Sequence, residues 1–150
     1  MNTPNLKQIG IRDVTFGRDV TVVEPTNLYG CTIGDESFIG PFVEVQHRVR
    51  IGARTRIQSH SFVCELTEIG DDCFIGHGVM FVNDLLREGP AYGQPEKWAG
   101  AQIGDHVSIG SNATILPVRI CARAIIGAGA VVTKDITEPG IYVGVPARKH

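Results

Sequence analysis

Three polar residues, His47, Glu65 and Asn83, stand at intervals of eighteen along the chain. An imidazole can take or give a proton near neutral pH, a carboxylate can hold an amine, and a carboxamide both donates and accepts. Directly after Asn83 comes an irregular run from Asp84 to Gly100, with two of the eight prolines and the only tryptophan. A long loop next to polar residues is a common place for a site, so Asp84 joins Glu65 and His47 as candidate substrate ligands. A second group, Ser59, His60 and His77, has the residue types to orient a substrate or move a proton. Arg48, Arg50, Arg54 and Arg56 form either a solvated basic face or a contact for phosphates. The thiols Cys31, Cys64, Cys73 and Cys121 contain no C-x-x-C pair, which excludes zinc-ribbon and thioredoxin-like readings and leaves them as small apolar fillers. His106 and His150 are read as structural.

For residues eighteen apart to meet, the chain must return to the same side every eighteen residues, and its apolar pattern does so. Aliphatic anchors recur every six positions: Ile33, Ile39, Val45, Ile51, Ile57, Val63, Ile69, Ile75 and Phe81, then Ile103, Ile109 and Ile115. After a slip of one residue the series continues with Ile120, Ile126 and Val132. Two residues before each anchor stands a small or β-branched side chain, such as Cys31, Ser37, Thr55, Ser61 or Ala113. Two inward positions two residues apart describe a short strand, and the apolar spacing of three and four that a helix needs is absent. Six-residue spacing leaves two residues per corner. The predicted fold is therefore all-β, a coil with one short strand on each of three faces, each strand about 4.8 Å above its equivalent eighteen residues earlier.

The faces differ in the residue after the anchor. On the first face it is Gly34, Gly52, Gly70, Gly104 and Cys121; on the second, Gly40, Gln58, Gly76, Gly110 and Gly127. On the third it is Gln46, Cys64, Val82, Leu116 and Thr133, with no glycine. The glycines are expected to expose backbone to a ligand or a neighbouring chain. His47, Glu65 and Asn83 lie on the corner after the third face, and Ser59, His60 and His77 at the corner after the second. The two groups could then share a site only across an interface. Regular coils are expected over about 16–133, interrupted by the loop at about 84–100, with 1–15 and 134–150 as caps on a single domain of 150 residues.

Composition agrees with one globular domain: 43% hydrophobic, 20% charged, mean hydropathy +0.05. Aromatics are 7%, glycines number 18, and a net charge of −2 gives no field for nucleic acid or an anionic membrane. The N-terminal run Met1 to Asn5 has no basic-then-apolar signal, so a cytoplasmic location with reduced thiols is expected.

This repeat resembles the hexapeptide-repeat acyltransferase superfamily, and the resemblance covers residues 16 to 133. It implies a left-handed parallel β-helix, a handedness that general physics does not supply, since about 98% of parallel crossovers are right-handed. It also implies a homotrimer with active sites between subunits. Ile126-Gly127-Ala128-Gly129-Ala130-Val131-Val132-Thr133-Lys134-Asp135 and Val143-Gly144-Val145-Pro146-Ala147-Arg148 resemble the signature of these transferases. By that resemblance Gly110, Ser111, Gly127 and Ala128 bind the pantetheine arm of acetyl-CoA, and Lys134 and Arg148 its phosphates.

A finer resemblance runs through Asn27–Gly34, Ser59–Glu65 and Phe74–Asp84, to the branch that N-acetylates 3-amino sugars on nucleotide carriers for surface polysaccharide and lipopolysaccharide synthesis. It implies Asn83, with His60 and His77, as catalytic candidates. The chain departs from many relatives in ending soon after Arg148. The alternative is O-acetylation of a sugar or small alcohol, for which relatives place a basic histidine just before the loop. Here that stretch is Val82-Asn83-Asp84-Leu85-Leu86. A hydroxyl needs a base worth about 10² to 10⁴ in rate, whereas a neutral amine attacks a thioester unaided, so the missing histidine favours an amine. A γ-class carbonic-anhydrase-like zinc protein would need histidines five apart, and the partner position of His77 is Val82; no metal is expected. A non-catalytic β-helix scaffold is the remaining class.

Overall fold

The computed structural model describes residues 2–87, 89 and 95–150. Among them the chain is a left-handed β-solenoid of parallel sheets, with no helix beyond a single 3₁₀ turn at Pro95–Lys97. The first face stacks six strands: Thr15–Phe16, Thr32–Ile33, Arg50–Ile51, Glu68–Ile69, Gln102–Ile103 and Arg119–Ile120. The second stacks eight, from Thr21–Val22 to Ile141–Val143 and, antiparallel at the end, Arg148–Lys149. The third stacks seven, from Ile11–Arg12 to Val131–Val132. Strand pairing thus extends on both sides of residues 16–133. No helix among the described residues is long and apolar enough to cross a membrane.

All fifteen anchors are buried, most of them completely. Each buried aliphatic side chain contributes about 1.5–3 kcal/mol, which lets a chain poor in aromatics build a core. The small positions before the anchors have a second job. Ser37 Oγ donates to the Gly52 carbonyl at 2.8 Å, Thr55 Oγ1 to Gly70 at 2.8 Å, and Cys73 Sγ to Gly104 at 3.1 Å. Cys73 therefore does a hydroxyl's work in a column of eighteen-spaced donors, more than the filler expected of it.

The glycines read otherwise than expected. A Cβ on Gly34 would lie 2.7 Å from the Ala53 nitrogen, on Gly76 2.7 Å from that of Ser111, and on Gly110 2.5 Å from that of Ala128. Real Cβ contacts are not this short, so coil-on-coil stacking demands these glycines, and their presence is no sign of a ligand.

The one-residue slip also has a cause. Between Leu116 and Val118 the corner holds Pro117 alone, and the Val118 N–H donates back to the Leu116 carbonyl at 2.7 Å. Proline's fixed φ suits so tight a turn. The register survives, with Ile103 opposite Ile120. The same corner is equally short lower down, where Gly30, with φ at 58°, stands alone between Tyr29 and Cys31.

Candidate functional site

The corner after the third face is built from Gly30, His47–Arg48, Glu65–Leu66 and Asn83, with Pro117 above. The two shortened corners, at Gly30 and Pro117, bracket the ladder that the eighteen-residue spacing predicted. His47 sits over Gly30, where a Cβ would collide with its imidazole. Its Nδ1 lies 3.5 Å from Glu65 Oε1. The same oxygen accepts from Arg48 Nε at 2.8 Å and Nη2 at 2.6 Å. Among the described residues Glu65 Oε2 has no partner, although the side chain is only 17% exposed. Asn83 Nδ2 donates to the Glu65 carbonyl at 3.4 Å, and its Oδ1 has no partner among the described residues.

A chain of hydrogen bonds fixes this ladder from below. Arg12 donates to Asn27, Asn27 to Glu44 and Gln46 to Glu44, each at 3.1 Å, and the Glu65 N–H donates to Gln46 at 3.2 Å. Burial pushes the Tyr29 hydroxyl above its usual range, with the Glu44 carboxylate adding to the effect.

The loop leaves the solenoid at the ladder's upper end. Its base is closed by the Ala99 N–H donating to the Asn83 carbonyl at 3.1 Å. Asp84 accepts from the Leu86 N–H at 2.7 Å and from Trp98 Nε1 at 3.2 Å, so both its oxygens fasten the two ends of the loop. Residues 88 and 90–94 of the expected loop lie outside the described residues.

His60 and His77 stand on another corner, the one after the second face, in line with Ser111 and Ala128. There His60 stacks on Phe42. Lys134, exposed, is on the corner after the third face, while Arg148 lies beside the upper end of the second sheet, with its Nη1 donating to the Ala147 carbonyl at 3.0 Å. Within one chain the structure therefore brings His47, Glu65, Asn83 and Asp84 together. It sets His60, His77, Gly110, Ser111, Gly127 and Ala128 along a second column.

The two columns of corners flanking the second face differ in one respect. On the corner before it, the N–H groups of Arg18, Ala53 and Asp71 donate to Asp35, Asp71 and Asp105, each at 2.8 Å. On the corner after it no aspartate is present. The equivalent N–H groups of Ser59, His77, Ser111 and Ala128 have no acceptor among the described residues. Gly110 and Gly127, by contrast, spend their own N–H groups on Ile126 and Tyr142. The open donors thus belong to Ser111 and Ala128, not to the glycines singled out with them.

The arginine run is mostly spent. Arg48 holds Glu65, Arg54 donates to Asp72 at 2.7 and 2.8 Å, and Arg56 lies 4.3 Å over the Phe38 ring. Arg50 lines a shallow groove on the first face with Glu68, Gln102 and Arg119. No group of three His, Cys, Asp or Glu residues fit for a metal occurs among the described residues. Sequence reasoning missed Arg48 and Gln46 as partners of Glu65, Trp98 as the partner of Asp84, and Phe42.

With this geometry in place, the likeness to known proteins is informative. Residues 30–65 match the bacterial transferase hexapeptide model of six repeats, and residues 100–134 the hexapeptide repeat of succinyl-transferase. Both models describe hexapeptide-repeat transferases, the superfamily that the repeat resembles. The bifunctional protein GlmU of Clavibacter sepedonicus is 34% identical over 158 residues, which cover 93% of this chain and 30% of that protein. A Synechococcus GlmU is 27% identical, covering 87% and 38%. The chain thus spans about a third of the length of these curated relatives. A mutant of AntD, an N-acyltransferase from Bacillus cereus, in complex with dTDP and coenzyme A, superposes with a TM-score of 0.79 at 23% identity, covering 91% of this chain and 82% of that one. At that identity the likeness is one of fold. A hexapeptide-repeat acetyltransferase of Vibrio cholerae O1 biovar eltor, complexed with acetyl coenzyme A, gives 0.65 at 29% identity, covering 80% and 69%.

Proposed function

We propose that this chain is an acetyl-CoA-dependent N-acetyltransferase acting on the amino group of a nucleotide-linked amino sugar, a 3-amino sugar foremost. It works as a cytoplasmic homotrimer whose sites lie between subunits, and it supplies surface polysaccharide synthesis. The observation that carries the acceptor is the pair of open acceptor atoms, Glu65 Oε2 and Asn83 Oδ1, beneath the loop. Both suit the N–H groups of an amine. The free N–H donors at His77, Ser111 and Ala128 support the acetyl-CoA reading, since the pantetheine arm is an extended chain of amide carbonyls. That the Vibrio cholerae protein binds acetyl-CoA and AntD binds dTDP with coenzyme A favours the same pair of ligands here.

In this reading Asn83 Oδ1 and Glu65 orient the neutral amine so that its lone pair faces the thioester carbon. The C–N bond forms, the C–S bond breaks, and the amine proton leaves with the thiol of coenzyme A. Arg48 and Gln46 hold Glu65, Gly30 gives His47 room, and Asp84 with Trp98 fixes the loop. Lys134 and Arg148 meet the phosphates of the donor.

The test mixes purified protein and acetyl-CoA with UDP- and dTDP-linked 3-amino and 4-amino sugars, with sugar alcohols as controls, and reads released thiol. Turnover on a 3-amino sugar with a sharp loss in Asn83→Ala is expected. Turnover on hydroxyls alone overturns the amine reading and puts His60 or His77 forward as a base for O-acetylation.

A further inference from the structure

Phe42 is 56% exposed and has φ of 60°, the left-handed conformation that Glu36, Arg48, Leu66 and Arg123 also adopt on their corners. That left-handed region costs a bulky L-residue about 1–2 kcal/mol and is usually left to Gly, Asn or Asp. Its ring stacks on His60, which is also exposed, with centroids 4.9 Å apart and planes at 30°. His60 has φ of 64° and donates its N–H to the Pro41 carbonyl at 3.2 Å, which ties the two corners together. Nothing in the core needs either ring. Beside them Ser59 presents an N–H without an acceptor among the described residues. An exposed, paired aromatic surface with a hydrogen-bond donor at its edge has the chemistry that takes a flat, polar-edged ring.

We infer that Phe42 and His60 form the stacking platform for the nucleobase of the nucleotide carrier, with the Ser59 N–H facing the edge of the base. This rests on the nucleotide-sugar reading above and names the subsite within it. The platform lies on the same corner as the open N–H groups of Ser111 and Ala128 but two to four coils lower, about 10–19 Å away at about 4.8 Å per coil. Lys134 and Arg148 lie at the opposite, C-terminal end, so the adenine of acetyl-CoA belongs there and the lower platform is left to the acceptor's base. The ladder that receives the amine is on the next corner. A platform from one copy therefore serves the ladder of a second, and the acceptor site is incomplete in a single chain.

The experiment is calorimetric titration of dTDP, UDP and coenzyme A into wild-type protein, Phe42→Ala and Phe42→Tyr, with molar mass and melting temperature measured alongside. Loss of one base–aromatic stack weakens binding about 5- to 150-fold. Phe42→Ala is expected to lose that much for a nucleoside diphosphate while coenzyme A binds within twofold and mass and melting temperature hold; Phe42→Tyr is expected to keep the affinity. Wild-type binding that Phe42→Ala retains overturns the platform alone. A change of oligomeric mass in Phe42→Ala also overturns it, by making the ring an interface contact. Failure of the wild type to bind either diphosphate overturns the nucleotide reading and the platform with it.

Discussion

Replacing Glu65 by glutamine separates a binding role from a structural one. The side chain is 17% exposed, and its Oε1 receives Arg48 at 2.8 and 2.6 Å and His47 at 3.5 Å. Glutamine has the same shape, and its amide oxygen can keep Arg48. At the position of Oε2 it presents an NH₂, a donor where an amine's N–H needs an acceptor. One charge-assisted hydrogen bond to the substrate is lost, worth about 1.5–3 kcal/mol, or about 10- to 150-fold in kcat/KM. The stability cost is smaller. Arg48 is half in solvent, so the ion pair contributes about 0.2–1 kcal/mol, which moves Tm by at most about 4 °C in a chain of this length. The assay is thiol release at varied amino-sugar concentration, with acetyl-CoA titrated separately. We expect kcat/KM for the sugar to fall by the stated factor and the KM for acetyl-CoA to stay within twofold. A kcat/KM within threefold of wild type, at unchanged Tm, would refute a role for Oε2 in holding the amine. A Tm fall of twice the stated limit would show that Glu65 holds the corner together instead.

Three further outcomes follow from the same structure. Ala128→Asp places a carboxylate one coil above Ser111, as Asp71 stands above Ala53, so it should take up the Ser111 N–H; acetyl-CoA binding should be lost while Tm holds or rises, and unchanged acetyl-CoA affinity by calorimetry would count against the open column. Burial pushes the Cys31 thiol up to about 11 and raises Cys64 and Cys73 as well. At pH 8 only about one Cys31 in a thousand is then thiolate, so a thiol reagent should titrate half-buried Cys121 alone until denaturant is added, and a second fast thiol would contradict this core. Backbone and guanidinium bonds from Arg18 hold the Asp35 carboxyl below its usual value, and the Arg54 guanidinium does the same for Asp72. Such carboxylates stabilise the fold fully above their unfolded value of 3.8 and lose that contribution as pH falls through the depressed folded values. The Tm difference between wild type and Asp72→Asn should therefore vanish in acid, and a difference that persists to pH 2 would refute it.

The coil was legible because inward side chains obey a period set by backbone geometry, so each anchor from Ile33 to Val132 announces its place. Corner side chains obey no such rule. Where the register is eighteen, a residue eighteen positions on is directly above, but long side chains reach diagonally: Arg48 finds Glu65 seventeen residues on. A search at eighteen alone therefore finds His47, Glu65 and Asn83 as a ladder and misses what orients it. The glycines misled for a related reason. Gly76 and Gly110 are needed because the next coil's nitrogen lies where a Cβ would be, a contact between segments more than a dozen residues apart that no local pattern displays. Asp84 stands beside Asn83 in sequence, but Trp98, fourteen residues away across the loop, decides what its carboxylate does.

The solenoid makes every corner nearly the same backbone object, so function has to be written in what the corners leave undone. Along one edge Asp35, Asp71 and Asp105 cap each N–H and leave nothing for a ligand to take. Along the next edge the same N–H groups carry Ser59, His77, Ser111 and Ala128, none of which reaches down to cap its neighbour, and the column stays open. Along the third, shortened corners at Gly30 and Pro117 set back the wall above and below His47, Glu65 and Asn83. An uncapped donor on a solvated corner costs little in the free protein, because water satisfies it. It therefore survives without harm to the fold, and a ligand whose carbonyls repeat along the same axis can replace that water. Capping, leaving open and retracting are three settings of one repeated corner, and they place donor and acceptor chemistry on adjacent edges of a single prism. In one copy those edges are a face apart, so it is the meeting of two copies that makes a single site of them.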